Sequence, residues 1–115
     1  MKNKPILNSL QKSFATVIAS IIMSDTKISK KERVKFNNFF VDSFSLNQEE
    51  IHLLFEESIN DIDNLDKHLE ELKKGLTKYP KEKIAFMRYL NECIICDGVD
   101  NREYITFEKI KSSLF

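Results

Sequence analysis

The sequence predicts an all-α fold, a compact bundle of about six helices built from two pseudo-symmetric halves. Apolar residues recur at three- and four-residue spacings along most of the chain, as one face of an amphipathic helix requires. The chain has only two glycines and two prolines, and it lacks the short alternating runs between turns from which a sheet is built. Segments around Asp25 and Asp97 both contain an apolar run, an aspartate, a polar turn and a helix cap. The length of 115 residues is typical of one domain, so we expect residues 1–115 to form a single domain.

The first half opens with a predicted amphipathic helix over about residues 5 to 24. Its apolar stripe comprises Leu7, Leu10, Phe14, Val17, Ile18, Ile21 and Ile22. After a turn at residues 25–28, Ser29 and Glu32 have the spacing of a capping box, in which each side chain bonds to the backbone N–H of the other residue. We therefore expect a second helix from about Lys30 to Val41.

The middle of the chain predicts two further helices. Asn47 and Glu50 repeat the capping signature and open a third helix that reaches about Ile59. Residues 61–64 interrupt it. A fourth helix, which ends between residues 75 and 79, has an apolar face formed by Leu65, Leu69, Leu72 and Leu76.

The second half of the repeat supplies the last two helices. Pro80 suits the first turn of a fifth helix, which we expect to run to about Cys96. Asp100 and Glu103 form another capping pair after the second acidic turn. They open a final helix whose apolar positions are Ile105, Phe107, Ile110 and Leu114.

The charge balance argues against binding nucleic acid through overall positive charge, since eighteen basic residues match eighteen acidic ones. Residues 49–71 are strongly acidic, with Lys67 as their only lysine or arginine. A local basic cluster is either a solvated helix face or a site for phosphate or an acidic partner. Its members are Lys27, Lys30, Lys31, Arg33 and Lys35.

The amino-terminal region favours a cytoplasmic protein without membrane insertion. The apolar run from Phe14 to Met23 follows several lysines, as in a secretory signal, but Thr16 and Ser20 interrupt it and no small-x-small cleavage site follows. The run is also too short for the roughly twenty residues that a spanning helix needs.

Cys93 and Cys96 have a Cys-x-x-Cys spacing near the expected carboxyl end of the fifth helix. The helix dipole disfavours a thiolate there. A zinc site would need two more ligands, and only His52 and His68 offer imidazoles. We interpret the cysteines as small core residues, with a metal or redox pair as the alternative.

The aspartates of the two acidic turns are less well explained than the glutamates. Capping accounts for Glu32 and Glu103 without a metal. Asp25 and Asp97, by contrast, follow helices whose carboxyl ends are negative, so each needs a backbone N–H, a lysine or a cation as a partner.

The repeated turn resembles the TerB-like family, which is named for a tellurite-resistance protein and is also found in a membrane-anchored J-domain co-chaperone. That family is an all-helical bundle of two related halves, each with an aspartate-glycine turn, an aliphatic residue, a cap and a glutamate. The matching residues are Asp25, Ile28, Ser29 and Glu32 in the first half, and Asp97, Gly98, Val99, Asp100 and Glu103 in the second. Thr26 stands in place of the first glycine.

The resemblance implies that Asp25, Glu32, Asp97 and Glu103 gather on one side of the bundle and bind a cation or a basic partner. Carboxylate oxygens suit calcium, magnesium or manganese. The function implied is that of a non-enzymatic protein-interaction module, tuned by such a cation, in a stress-response or envelope-associated context.

Two other functions stay open at this point. The same carboxylates could serve a metal-dependent enzyme or sensor, although the chain has no phosphate-binding glycine loop and no Ser/His/Asp order typical of nucleophilic catalysis. Alternatively, the protein is a small adaptor that binds a protein partner or forms a homodimer. This hypothesis depends on closely spaced phenylalanines that exceed what one helix stripe can bury, namely Phe36, Phe39, Phe40 and Phe44.

Overall fold

The computed structural model describes residues 10–23, 30–95 and 101–115, with only the backbone of residues 95 and 101–103. Within these residues the fold is an all-α bundle with no strand, as the sequence predicts. Its helices are α1 (Gln11–Ile22), α2 (Lys30–Phe44), α3 (Gln48–Asn60), α4 (Leu65–Gly75), α5 (Pro80–Ile95) and α6 (Asn101–Leu114), and a 3-10 turn (Ile62–Asn64) lies between α3 and α4. The two-half pseudo-symmetry stays a prediction, because both acidic turns fall outside the described residues.

Helix α1 is the centre of the bundle. Every residue from Ser13 to Ile22 is buried, because α3 and α4 flank the helix and α2, α5 and α6 also pack against it. The sequence predicts a single apolar stripe, but the whole circumference is enclosed, as in helices that cross the middle of a core. The predicted bounds are also too wide in the described part, since Leu10 and Met23 lie in turns.

The polar residues of α1 tolerate this burial because each hydroxyl has a hydrogen-bond acceptor. Thr16 Oγ1 donates to the Lys12 carbonyl at 2.9 Å, and Ser20 Oγ donates to the Val17 carbonyl at 2.6 Å. Bonds of this kind to the preceding turn let a hydroxyl enter an apolar environment without an unsatisfied donor.

Aromatic rings fill the space between α1, α2 and α5. Phe14 lies 4.8 Å from Phe86 and 5.9 Å from Phe39, measured between ring centroids. Phe36 and Phe40 are fully buried, and Phe44 is partly buried against the same core. Phe36, Phe39 and Phe40 therefore do not supply the interface suggested from the sequence, because rings from α1, α3 and α5 cover them. The adaptor or homodimer hypothesis itself stays a prediction.

Two helix ends show how local sequence sets the boundaries. Asn47 and Glu50 form the predicted capping box of α3, with the Glu50 N–H bonded to Asn47 Oδ1 at 2.8 Å and the Asn47 N–H bonded to Glu50 Oε1 at 3.1 Å. Helix α2 ends at Phe44, and the next residue, Ser45, has a left-handed φ of 58° and an N–H that bonds to the Val41 carbonyl at 3.1 Å. This is the αL type of helix end, in which glycine is the commonest residue.

We expect Phe14→Ala to lower the free energy of unfolding by about 3–5 kcal/mol, since it leaves a cavity in the ring cluster. Urea unfolding followed by circular dichroism measures this loss. The free energy of unfolding of Phe14→Leu should lie between those of the wild type and Phe14→Ala. Ile105, which is 70% exposed, provides the control. Ile105→Ala should change stability by no more than about 0.5 kcal/mol, and a similar loss at both positions would contradict the buried α1.

Ser45→Gly should raise the free energy of unfolding by about 0.5–1 kcal/mol, because glycine adopts positive φ without the strain of a Cβ. Ser43→Gly is the matched control, since Ser43 lies inside α2. That change should instead destabilise by about 0.5 kcal/mol through lower helix propensity. Destabilisation by both changes would argue against the left-handed end of α2.

Candidate functional site

The acidic residues predicted to bind a cation fall largely outside the described part of the chain. Asp25 and Asp97 lie there entirely, as does the side chain of Glu103. Glu32 is in the first turn of α2, where the helix dipole favours a carboxylate, and it is only 2% exposed. Its predicted capping partner, Ser29, is also outside the described residues. The cation site and this capping box stay predictions.

Other potential metal ligands do not converge in the part of the chain that is described. No group of three or more histidine, cysteine, aspartate or glutamate side chains there could hold a metal ion. Cys93 is fully buried in α5, as expected of a core residue, and Cys96 is not among the described residues. His52 is exposed on α3, with Nε2 4.0 Å from Glu56 Oε1.

A buried polar cluster connects α1 to α4 and to the turn after α3. Ser13 Oγ lies 2.9 Å from His68 Nδ1 and donates to Glu71 Oε2 at 2.8 Å. His68 Nε2 is hydrogen-bonded to Asp61 Oδ2, and Asn64 Nδ2 donates to Asp61 Oδ1 at 2.6 Å. Three separate parts of the chain thus meet at one histidine.

The cluster contains serine, histidine and aspartate, but its geometry does not fit an activated nucleophile. The hydroxyl proton of Ser13 points to Glu71 rather than to the imidazole, so Ser13 Oγ is placed to accept from His68 Nδ1–H. Ser13 is also only 2% exposed, which denies a substrate access to its oxygen. We interpret the cluster as a tether that orients α4 on α1.

This cluster was not predicted from the sequence, although one signal was present. His68 falls within the leucine stripe of α4, one residue before Leu69 and four before Leu72, so helical spacing turns it toward the core. Its partners are distant in the chain, and Ser13 looks like a small residue in an apolar run. Nothing in the sequence indicates that these residues meet.

The charges of the cluster perturb one carboxyl group. Hydrogen bonds from His68 and then from Asn64 lower the pKa of Asp61 from its ordinary value, against the opposing effect of desolvation. Electrostatic interactions with His68 and Lys12 lower the pKa of Asp61 in the same direction as the hydrogen bonds. Asp61 therefore favours its ionised form in the folded protein.

The predicted basic cluster stays together only in part. Arg33 turns toward α3 and lies 4.0 Å from the centroid of the Phe55 ring, a cation–π contact. Lys27 is outside the described residues. The other three lysines, Lys30, Lys31 and Lys35, line a surface cavity of about 360 Å³ on α2 together with Val34 and Asn38. Lys35 Nζ also lies 3.8 Å from Glu92 Oε2 on α5.

A groove between α5 and α6 combines exposed apolar side chains with positive charge. Its volume is about 320 Å³, and it is lined by Ile84, Met87, Arg88, Phe107, Lys111 and Phe115. Met87 is buried at the floor, whereas Ile84 is 52% exposed and Phe115 is 64% exposed. Both charged lining residues, Arg88 and Lys111, are basic.

The end of α6 is held in place beside this groove. Lys83 Nζ donates to the Leu114 carbonyl at 3.0 Å and lies 4.9 Å from the centroid of the Phe115 ring. The start of α5 and the end of α6 are therefore adjacent, so the two helices run antiparallel. Phe115 lies against Lys83, while most of its side chain faces solvent.

A third surface cavity, of about 430 Å³, lies between α2 and α5. Its lining residues are Phe39, Ser43, Lys81, Glu82, Ala85 and Tyr89. The two charged members have opposite signs, so this cavity offers less charge selectivity than the α5–α6 groove. Of these two surfaces beside α5, the α5–α6 groove is therefore the stronger candidate for a binding surface.

Asp61→Asn tests whether the ionised Asp61 carboxylate stabilises the fold, through the pH dependence of the free energy of unfolding. The folded-state pKa of Asp61 is lowered, so its contribution to stability is present above the unfolded value of about 3.9 and is lost as the pH falls through the folded value. The stability difference between wild type and Asp61→Asn should therefore be largest near pH 6 and shrink below about pH 4. Urea unfolding between these pH values measures it. Asp63→Asn, an exposed change in the same turn, should show no such trend.

None of the described helices is both long and apolar enough to cross a membrane. Comparisons of the chain with protein-family models, curated proteins and solved structures found no match. The TerB-like resemblance therefore rests on the residues of the two acidic turns alone. The case for the α5–α6 groove as a binding surface rests on the shape and the lining residues of the groove.

Proposed function

We propose that this protein is a non-enzymatic helical interaction module that docks an acidic amphipathic helix in the α5–α6 groove. The observation that carries the proposal is the combination of a buried apolar floor, exposed apolar walls and two basic lining residues. The proposal keeps the interaction role implied by the TerB-like resemblance and assigns it to described residues of α5 and α6 instead of the carboxylates of the acidic turns.

The apolar walls supply the binding free energy in this proposal. Ile84 and Phe115 expose most of their side chains to water, and covering such surface contributes roughly 25 cal/mol per Å² before the costs of association. An aromatic ring beside a concave apolar floor is a typical anchor of protein interfaces.

The shape and charge of the groove favour a helix with carboxylates. Two antiparallel helices form a channel that accepts the apolar face of a third helix, as in other helix-in-groove complexes. Arg88 and Lys111 would then pair with acidic side chains beside that face. Such rim charges contribute chiefly to orientation and to the association rate.

A synthetic amphipathic peptide of about 16 residues, with leucines on one face and glutamates beside them, is a suitable probe because shorter helices are marginal in water. In a titration followed by amide chemical shifts, we expect the largest shifts at Ile84, Arg88, Phe107 and Lys111. Reversing both charges, Arg88→Glu with Lys111→Glu, should weaken peptide binding about tenfold.

The control for this titration is Lys73→Glu with Lys78→Glu, which changes the net charge equally at exposed residues outside the groove. It should bind the peptide nearly as well as wild type. Shifts confined to another surface, equal loss in both double variants, or no shift at millimolar peptide would each overturn the proposal.

A further inference from the structure

Helix α3 presents a single exposed leucine within an acidic face. Leu53 is 60% exposed, while Ile51, Leu54 and Phe55 turn the opposite side of α3 into the core. The residues three and four positions away on the same face are Glu49, Glu50, Glu56 and Glu57. An apolar side chain is thus surrounded by four carboxylates.

These carboxylates are not equivalent, because two of them already have side-chain or charge partners in the fold. Glu50 belongs to the capping box of α3, and Glu56 interacts with the charge of Arg33. Glu49 and Glu57 are exposed on either side of Leu53. They are the residues best placed to meet a cationic partner.

This acidic face and the α5–α6 groove are complementary in polarity and in charge. The face offers one projecting apolar side chain with an anionic border, and the groove offers an apolar depression bordered by Arg88 and Lys111. Leu53 and Ile84 both stay exposed within a single molecule, so the two surfaces do not cover each other there. Contact between them has to join two molecules.

We infer that the protein binds a second copy of itself head to tail, with Leu53 of one molecule in the α5–α6 groove of the next. This inference rests on the proposed function of the groove and names its occupant. Each molecule has one α3 face and one α5–α6 groove, so it can contact one neighbour through each surface. Such contacts either close into a pair or a ring, or extend into an open chain. A contact centred on one leucine is small, so the association is weak and reversible.

Sedimentation velocity of the full chain over a range of concentrations tests the inference. The wild type should shift from monomer to larger species as concentration rises, and the shift should diminish with added salt. Leu53→Lys should raise the dissociation constant roughly tenfold or more, because it places a cation opposite Arg88 and Lys111. Lys73→Glu, outside both surfaces, should leave it near the wild-type value.

Charge exchange provides the sharper test. Glu49→Lys with Glu57→Lys places two cations beside Leu53, at the positions nearest the partner in this inference, whereas Arg88→Glu with Lys111→Glu makes the groove acidic. Each double variant alone opposes like charges at the contact and should stay monomeric. An equimolar mixture restores opposite charges at both contacts and should associate nearly as well as wild type. Circular dichroism establishes that each variant is folded.

The outcomes separate this inference from the proposed function. A wild-type chain that stays monomeric at millimolar concentration, or a mixture that fails to associate, overturns self-association. If the acidic peptide still shifts the groove residues, the proposed function survives and the partner is another protein. If the peptide fails as well, both are wrong.

Discussion

The complete burial of α1 is the constraint on which the rest of the structure depends. A helix whose whole circumference is enclosed has to be surrounded by others, and α2 to α6 all pack on it. This arrangement places Phe14 among rings from α2 and α5. It also explains why closely spaced phenylalanines on α2 are covered: they share one face of α2, and rings from α1, α3 and α5 pack against that face.

Burying α1 brings polar groups into the core, and their partners help to fix the neighbouring helices. The hydroxyls of Thr16 and Ser20 are satisfied by carbonyls of α1 itself. Ser13 bonds outside its own helix, to His68 and Glu71 on α4. Because His68 also bonds to Asp61, the same cluster sets the position of the turn between α3 and α4. A polar tether of this kind selects one arrangement of helices that apolar packing alone would define less sharply.

The periphery of the bundle is uneven because the core uses nearly all of α1 but only one side of the other helices. The outer side of α3 carries Leu53 among glutamates, and the outer side of the α5–α6 pair carries a groove with two basic residues. Most of the charge on such faces serves solubility. The exposed apolar groups between the charges distinguish these two surfaces, since both lose water-exposed area when a partner covers them.

The sequence by itself determined the all-α class, the approximate limits of α3 to α6 and the capping box at Asn47, because these depend on spacings of a few residues and on local hydrogen bonds. It did not determine that α1 is buried on every side or that His68 meets Ser13 and Asp61. Nor did it determine that Arg33 packs over Phe55 on α3. The groove between α5 and α6 was equally absent from the sequence pattern. These features join residues distant in the chain, so they exist only once the helices have packed, and hydrophobic periodicity gives the face of a helix but not the neighbour it meets.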